Sequence, residues 1–256
     1  MKTSIMRINK RVKNFFFAFL SIVFWIVVWD VISSRTNSEL ILPTPKNTLL
    51  TFLELTKTGE FWKICLSSVT RIFAGALSGI LAGTLLAILS HFFLLVKYLT
   101  SPLTTVIKAT PVASFIILFL ILIGKEHVPF LTSAMISMPI IFSNVFEGFE
   151  NVDKNLLEVT HVYNFSFSKK CKVLYLPSIK PYFVSGIKSC IGLAWKAGIA
   201  AEVLCTPDRS IGLKIHETRV YLETPYLFAW TLSVIILSLI FEKVAIKLIG
   251  KERRVK

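Results

Sequence analysis

Residues 181–204 form an apolar stretch interrupted by four side chains that could do work: Lys188, Trp195, Lys196 and Glu202. Charges at membrane depth are costly, so they face a bundle interior or water. Lys196 lies near the middle of the stretch, where its ammonium cannot easily escape to an interface. A cation beside a pathway lowers the barrier for an anion, as basic rings do in anion pores. Lys188 would add to this if it faces inward, and Glu202 would oppose it. The competing reading has side chains reaching back to water at the helix ends. It suits Lys188 and Glu202 better than Lys196. The expectation is a translocation pathway lined by this helix. Arg71, near the end of an earlier apolar span, is expected to snorkel to the interface.

Other chemistry is missing from the chain. No Gly-x-x-x-x-Gly-Lys-Ser/Thr phosphate loop occurs, so the chain cannot hydrolyse ATP by itself. Nucleophile elbow, zinc-binding helix and dinucleotide fingerprint are absent too. Cys65, Cys171, Cys190 and Cys205 are scattered and make no Cys-x-x-Cys pair, so neither a metal site nor a disulfide framework is expected. His127 falls in a polar turn and is given no ligand role. The expectation is a non-enzymatic chain without metal or cofactor. The net charge of +14 sits mostly in tails and loops beside apolar spans. That pattern reads as membrane topology rather than nucleic-acid binding.

The elements that must position these residues are helices. The chain is 54% hydrophobic and 17% charged, against about 25% charged in an ordinary globular protein. Its apolar residues come in long runs, which predicts an all-α polytopic protein in the lipid bilayer, one transmembrane domain over residues 1–256. Six spans are expected at about 15–33, 67–90, 98–124, 128–149, 181–204 and 226–249. Pro43 and Pro45 forbid a helix through their segment, and residues 46–59 read as a short amphipathic helix. Gly75, Gly79 and Gly83 put a flat stripe along the second span for close helix contact. Pro102 and Pro111 interrupt the third span, with Lys108 beside the expected bend, and Pro139 predicts a kink in the fourth. Both tails and the loop 151–180 are rich in Lys and Arg, which places all three in the cytoplasm.

That loop is a polar, basic island between the fourth and fifth spans. Glu158, Leu174, Leu176 and Pro177 stand in it at fixed spacings. The pattern resembles the signature loop of binding-protein-dependent ABC transporter permeases: Glu-Ala-Ala, three residues, Gly, nine residues, an aliphatic residue, one residue, Leu-Pro. Val159 and Thr160 replace the alanines, and Asn164 replaces the glycine. Asn tolerates a left-handed backbone next best after Gly, so the turn survives the exchange. Leu42-Pro43-Thr44-Pro45, the order Ser67, Arg71, Gly75, the pair Trp195-Lys196 and the run Ala200-Ala201-Glu202 resemble the nitrate, sulfonate and taurine subgroup. The likeness covers nearly the whole chain.

The resemblance implies a type I ABC importer permease in a bacterial plasma (inner) membrane. It implies a coupling loop, 151–180, of two short helices joined near Asn164, with Glu158, Val159, Thr160, Asn164, Leu174, Leu176 and Pro177 as its signature positions. Glu158 would hold the loop's shape. The implied partners are two ABC ATPase subunits, an extracytoplasmic solute-binding protein and a second permease copy in a homodimer. The implied cargo is a small polar or anionic solute, with a vitamin or pyrimidine precursor as the alternative. A self-contained secondary transporter is the remaining alternative, and the internal repeat common in such carriers is not found.

Overall fold

Two prolines one residue apart separate the first two helices. α1 (Lys2–Thr36) ends before them, and α2 (Pro45–Thr56) begins on the second, where the missing N–H of proline costs nothing. Thr44 caps α2 by accepting from the Asn47 amide at 3.2 Å. The computed structural model describes residues 2–36 and 38–249, with side chains for all of these except 2–12, 14, 246, 248 and 249. The basic tail 250–256 lies outside the described residues, as do most of the basic side chains of the N-terminal segment. Every regular element among the described residues is a helix.

α3 (Gly59–Phe92) is longer than the expected second span. Thr58 caps it, accepting from Phe61 N at 3.3 Å, and nothing breaks the polar first turns before the apolar stretch starts. The third span departs most from expectation. It is two helices, α4 (Leu94–Ala109) and α5 (Val112–Ile123), bent by 104° at Thr110 and Pro111. A residue before proline avoids the helical region, and Thr110 is extended with ψ 130°. Pro102 sits inside α4 and Pro139 inside α6 (Val128–Glu150) without ending either helix. After α6 come α7 (Lys154–Val162), α8 (Phe167–Lys170), a π turn (Cys171–Tyr175), α9 (Leu176–Cys205), α10 (Ile211–Val220) and α11 (Thr224–Ile249).

Four helical stretches are long and apolar enough to cross a membrane: Phe15–Thr36, Gly59–Phe92, Val128–Glu150 and Thr224–Ala245. The bent pair α4–α5 makes a fifth if it counts as one span. α9 has the length, 30 residues or about 45 Å, but Lys180, Lys188, Lys196 and Glu202 make it less apolar.

Packing fixes the directions. Added Cβ atoms at Gly75, Gly79 and Gly83 would run into the backbone carbonyl oxygens of Phe130, Ala134 and Met138. α3 and α6 therefore run parallel with their backbones in contact, as the small-residue stripe requires. α9 runs antiparallel to α6: Gly186 faces Ile141 and Asn144, while Gly148 faces Ile179 and Tyr182. α11 lies parallel to α3, with Trp230 on Phe61 (centroids 5.2 Å) and Phe241 on Phe73 (4.5 Å). The Trp195 indole N–H, buried between them, donates to Val234 O at 3.2 Å. The outer face of α1, from Phe15 to Ile32, stays exposed, as a lipid-facing helix would be.

Gly79→Leu should lower the thermal midpoint of the detergent-purified protein by the equivalent of at least about 1–3 kcal/mol, because no rotamer avoids the Ala134 carbonyl. Leu77→Ala, on the exposed face of the same helix, should change it little.

Candidate functional site

The island begins with a capped helix. Asp153 accepts from Asn155 N at 2.8 Å and starts α7. The helix ends at Tyr163, and Asn164 takes φ +49°, the left-handed turn expected of the residue in the glycine's place. Phe165 N–H then returns to Thr160 O at 2.9 Å. Thr160 and Leu174 are buried. Glu158 is exposed and, among the described residues, holds no hydrogen bond or ion pair. The loop's shape rests instead on Asp153, Thr160 and Asn164, not on the carboxylate expected to hold it.

The second half of the island is not a short helix. α8, the π turn and α9 run on as one helical stretch from Phe167 to Cys205. Leu176 N–H reaches back five residues to Cys171 O. That wide turn adds a residue just before Pro177, which has no N–H to give, so the helix passes through the Leu-Pro pair.

Aromatic side chains root this region in the bundle. His91 stacks on Phe149 (4.4 Å), Phe92 meets Phe167 (5.8 Å), and Tyr175 meets Phe149 (5.8 Å). Lys97 pairs with Glu150 at 3.1 Å and lies over the Phe146 ring. By contrast α7 and its turn present Leu156, Val159, Val162 and Tyr163 outward, 44–76% exposed. A short helix is thus held firmly at its root and left apolar on its free face.

The opposite end carries a network that the sequence did not reveal. Glu202 is fully buried. Its carboxylate accepts from Ser68 Oγ (2.8 Å), Arg71 Nη1 (3.3 Å) and the Gly212 amide (3.3 Å). Ser68 Oγ in turn accepts from Ile211 N at 2.9 Å. Two first-turn amides of α10 are thereby satisfied by side chains of α3 and α9, with a carboxylate at the positive end of the helix dipole. An added Cβ at Gly212 would overlap Glu202 itself. Arg71 also reaches Glu126 (3.4 Å) and Asp208 O (3.3 Å). Its side chain is only 18% exposed, so it is a structural cross-tie and does not snorkel.

Of the four residues expected on a pathway, the structure separates two from two. Trp195 and Glu202 point into the protein, while Lys188 and Lys196 are exposed. At the rim, Lys125 hydrogen-bonds Asp208, which holds the Asp208 carboxyl below and the Lys125 ammonium above their usual values. The Asp208 share of this stability is present above its unfolded pKa and lost as pH falls through the lowered folded value. The Lys125 share is present below its unfolded pKa and lost as pH rises through the raised one. Both groups are exposed, so the pair contributes little.

The helices and the two contrasting ends define a polytopic membrane transport component. Residues 79–246 match the family described as the binding-protein-dependent transport system inner membrane component, and the chain belongs to that family. It is similar to the putative aliphatic sulfonates transport permease protein of Bacillus subtilis, 29% identical over 206 residues, 80% of this chain and 74% of the relative. The nitrate import permease protein of Leptolyngbya laminosa is 30% identical over 167 residues, 63% of this chain and 58% of its own. The taurine transport system permease protein of Escherichia coli is 22% identical over 223 residues, 84% and 80%.

Arg71→Met should destabilise the purified protein by about 3–5 kcal/mol, since it strips a buried carboxylate of its cation. Adding Glu202→Gln should restore part of that loss, read as a higher melting temperature for the double variant than for Arg71→Met alone. A double variant that melts lower still would show that the two residues are not coupled.

Proposed function

We propose that the chain is one of two identical permease subunits of an ATP-driven importer, and that α7 with its Asn164 turn seats on a separate ATPase. The observation that carries this is the free apolar face of α7 on a root fixed by the aromatic cluster. A phosphate loop is absent from the chain, so the energy enters through that contact. Two ATPase subunits would serve two permeases, and a solute-binding protein would deliver cargo at the Arg71 end. The signature residues Glu158, Val159, Thr160, Asn164, Leu174, Leu176 and Pro177 divide in role. Val159 offers contact surface, Glu158 offers an exposed charge, and Thr160, Asn164 and Leu174 set the shape.

α1, α3, α4–α5, α6, α9 and α11 would make six crossings. The parallel α3, α6 and α11 with an antiparallel α9 support this, as do the five lysines of the island. The island and both termini then lie in the cytoplasm. A symmetric pair of copies would use a self-complementary interface that includes the exposed side of α9. The relatives' names point to small solutes such as sulfonates, nitrate and taurine, and the cargo proposed for this chain is of that kind.

Two experiments test the reading. Single cysteines at Thr44, Lys169 and Glu223, in a background lacking the native ones, should label from outside intact cells at Thr44 and Glu223 only. Labelling of Lys169→Cys would reverse the topology. Val159→Asp and Glu158→Lys should each reach the membrane at normal levels yet lose ATP-dependent uptake and co-purification of the ATPase. Wild-type uptake by both variants would remove α7 from the coupling contact.

A further inference from the structure

The break between α4 and α5 opens a cavity of about 420 Å³. Its lining includes Lys108, Thr110, Pro139, Lys196 and Ala200. This volume lies within the range of roughly 300–1,000 Å³ usual for small-molecule sites. Two lysines face it, and no acidic residue lines it.

Its depth follows from the helices on either side. α5 has 12 residues, so it rises about 18 Å from the cavity to the Gly124 turn, where Glu126 joins the Arg71 network. On α9, Lys196 precedes Cys205 by nine residues, or about 14 Å. With α5 and α9 crossing the bilayer as the permease reading has them, both routes put the cavity inside a hydrocarbon layer about 30 Å thick. At that depth a charged side chain needs water or a counter-charge. Among the described residues, Lys108 has only the Ser143 hydroxyl, to which it donates a hydrogen bond. Lys196 has no ion pair or hydrogen bond among the described residues. Two lysines lining one small space bring like charges near each other, and an anion between them would relieve both costs at once. Thr110 adds a hydroxyl at the same place. The walls are otherwise apolar, which strengthens any charge–charge attraction inside.

We propose that this cavity is a station on the translocation pathway and that it holds a small oxyanion, with Lys108 and Lys196 as its charge partners. The proposal rests on the permease reading above, which already takes the cargo as sulfonate- or nitrate-like, and adds the place where it pauses and the two residues that hold it. Glu202, fully engaged with Ser68, Arg71 and Gly212, does not offset these lysines, so the site keeps its positive sign.

The charge of the cavity can be read without identifying the cargo. In the assembled transporter, with the four native cysteines replaced, Ala200→Cys and Lys196→Cys each put a thiol at the cavity wall. Each is reacted with a negatively charged and a positively charged methanethiosulfonate of similar size. Rates are normalised to those of the same two reagents with free cysteine in solution. The anionic reagent should be favoured by about tenfold or more at both positions, the effect of one or two charges a few ångströms away. Lys108→Gln added to Lys196→Cys should abolish the preference, and Lys108→Arg should keep it. Equal rates, preference for the cationic reagent, or no reaction with either reagent would overturn the proposal. Such a result would also cover the case in which a partner copy's carboxylate neutralises the site. Failure of the permease reading shows separately, as loss of ATPase co-purification by the unsubstituted chain, which the thiol rates do not depend on.

Discussion

The rest of the structure depends on the contact between two backbones. Along α3 and α6, a row of three glycines lies on a row of three carbonyl oxygens, one per helical turn. Lipid gives helices no hydrophobic reason to associate, so attraction must come from close surface and from polar atoms brought near one another. The glycines supply the close surface. With α3 and α6 locked in parallel, α9 fills the groove against both, and Gly198 lets it approach Ile72 and Ser133. Ser133 Oγ, which also bonds Pro129 O, can then reach Ala194 O at 3.2 Å. The π turn, the broken third segment and the island all hang from this three-helix unit.

Polar groups are distributed unevenly over that frame. At the Arg71 end they are collected into one buried network in which each acceptor has a donor. At the island end the contacts are largely aromatic, with one exposed ion pair among the described residues. The middle holds the two lysines of the α4–α5 cavity. A protein that must open and close cannot bury equal stability everywhere, because the moving parts come from the less stable regions. Here the best-connected polar groups join α3, α9 and α10, while α7 and α4 have fewer ties to the frame.

Much of this was legible in the sequence. The glycine stripe, the amphipathic α2, the break at Pro111 and the turn at Asn164 each follow from one residue type with one backbone preference. The island's placement and its Leu-Pro ending carried the family. What sequence could not show was which charges meet. Ser68 and Arg71 lie more than a hundred residues from Glu202, and nothing in local pattern joins them. Read alone, Arg71 looked like a side chain seeking water and Glu202 like part of a pathway. In the structure the two bond each other. The continuity of helix through Pro177 was hidden for a different reason. Proline ends helices in many settings, and here a π turn directly before Pro177 accompanies the continuous helix.

The long reach of the Glu202 network has a consequence for how the protein is made. Ser68 and Arg71 leave the ribosome 134 and 131 residues ahead of Glu202. At roughly 5–20 residues per second, that is a wait of about 7–27 s before their partner exists. During that time α3 and α6 can already dock through their glycine stripe, which needs no charged partner. Arg71 meanwhile can only remain hydrated or pair with Glu126, which emerges first. Membrane insertion of α9 therefore finishes the polar end as well as adding a helix. A chain cut short before Glu202 would leave the arginine without the carboxylate that closes the bundle.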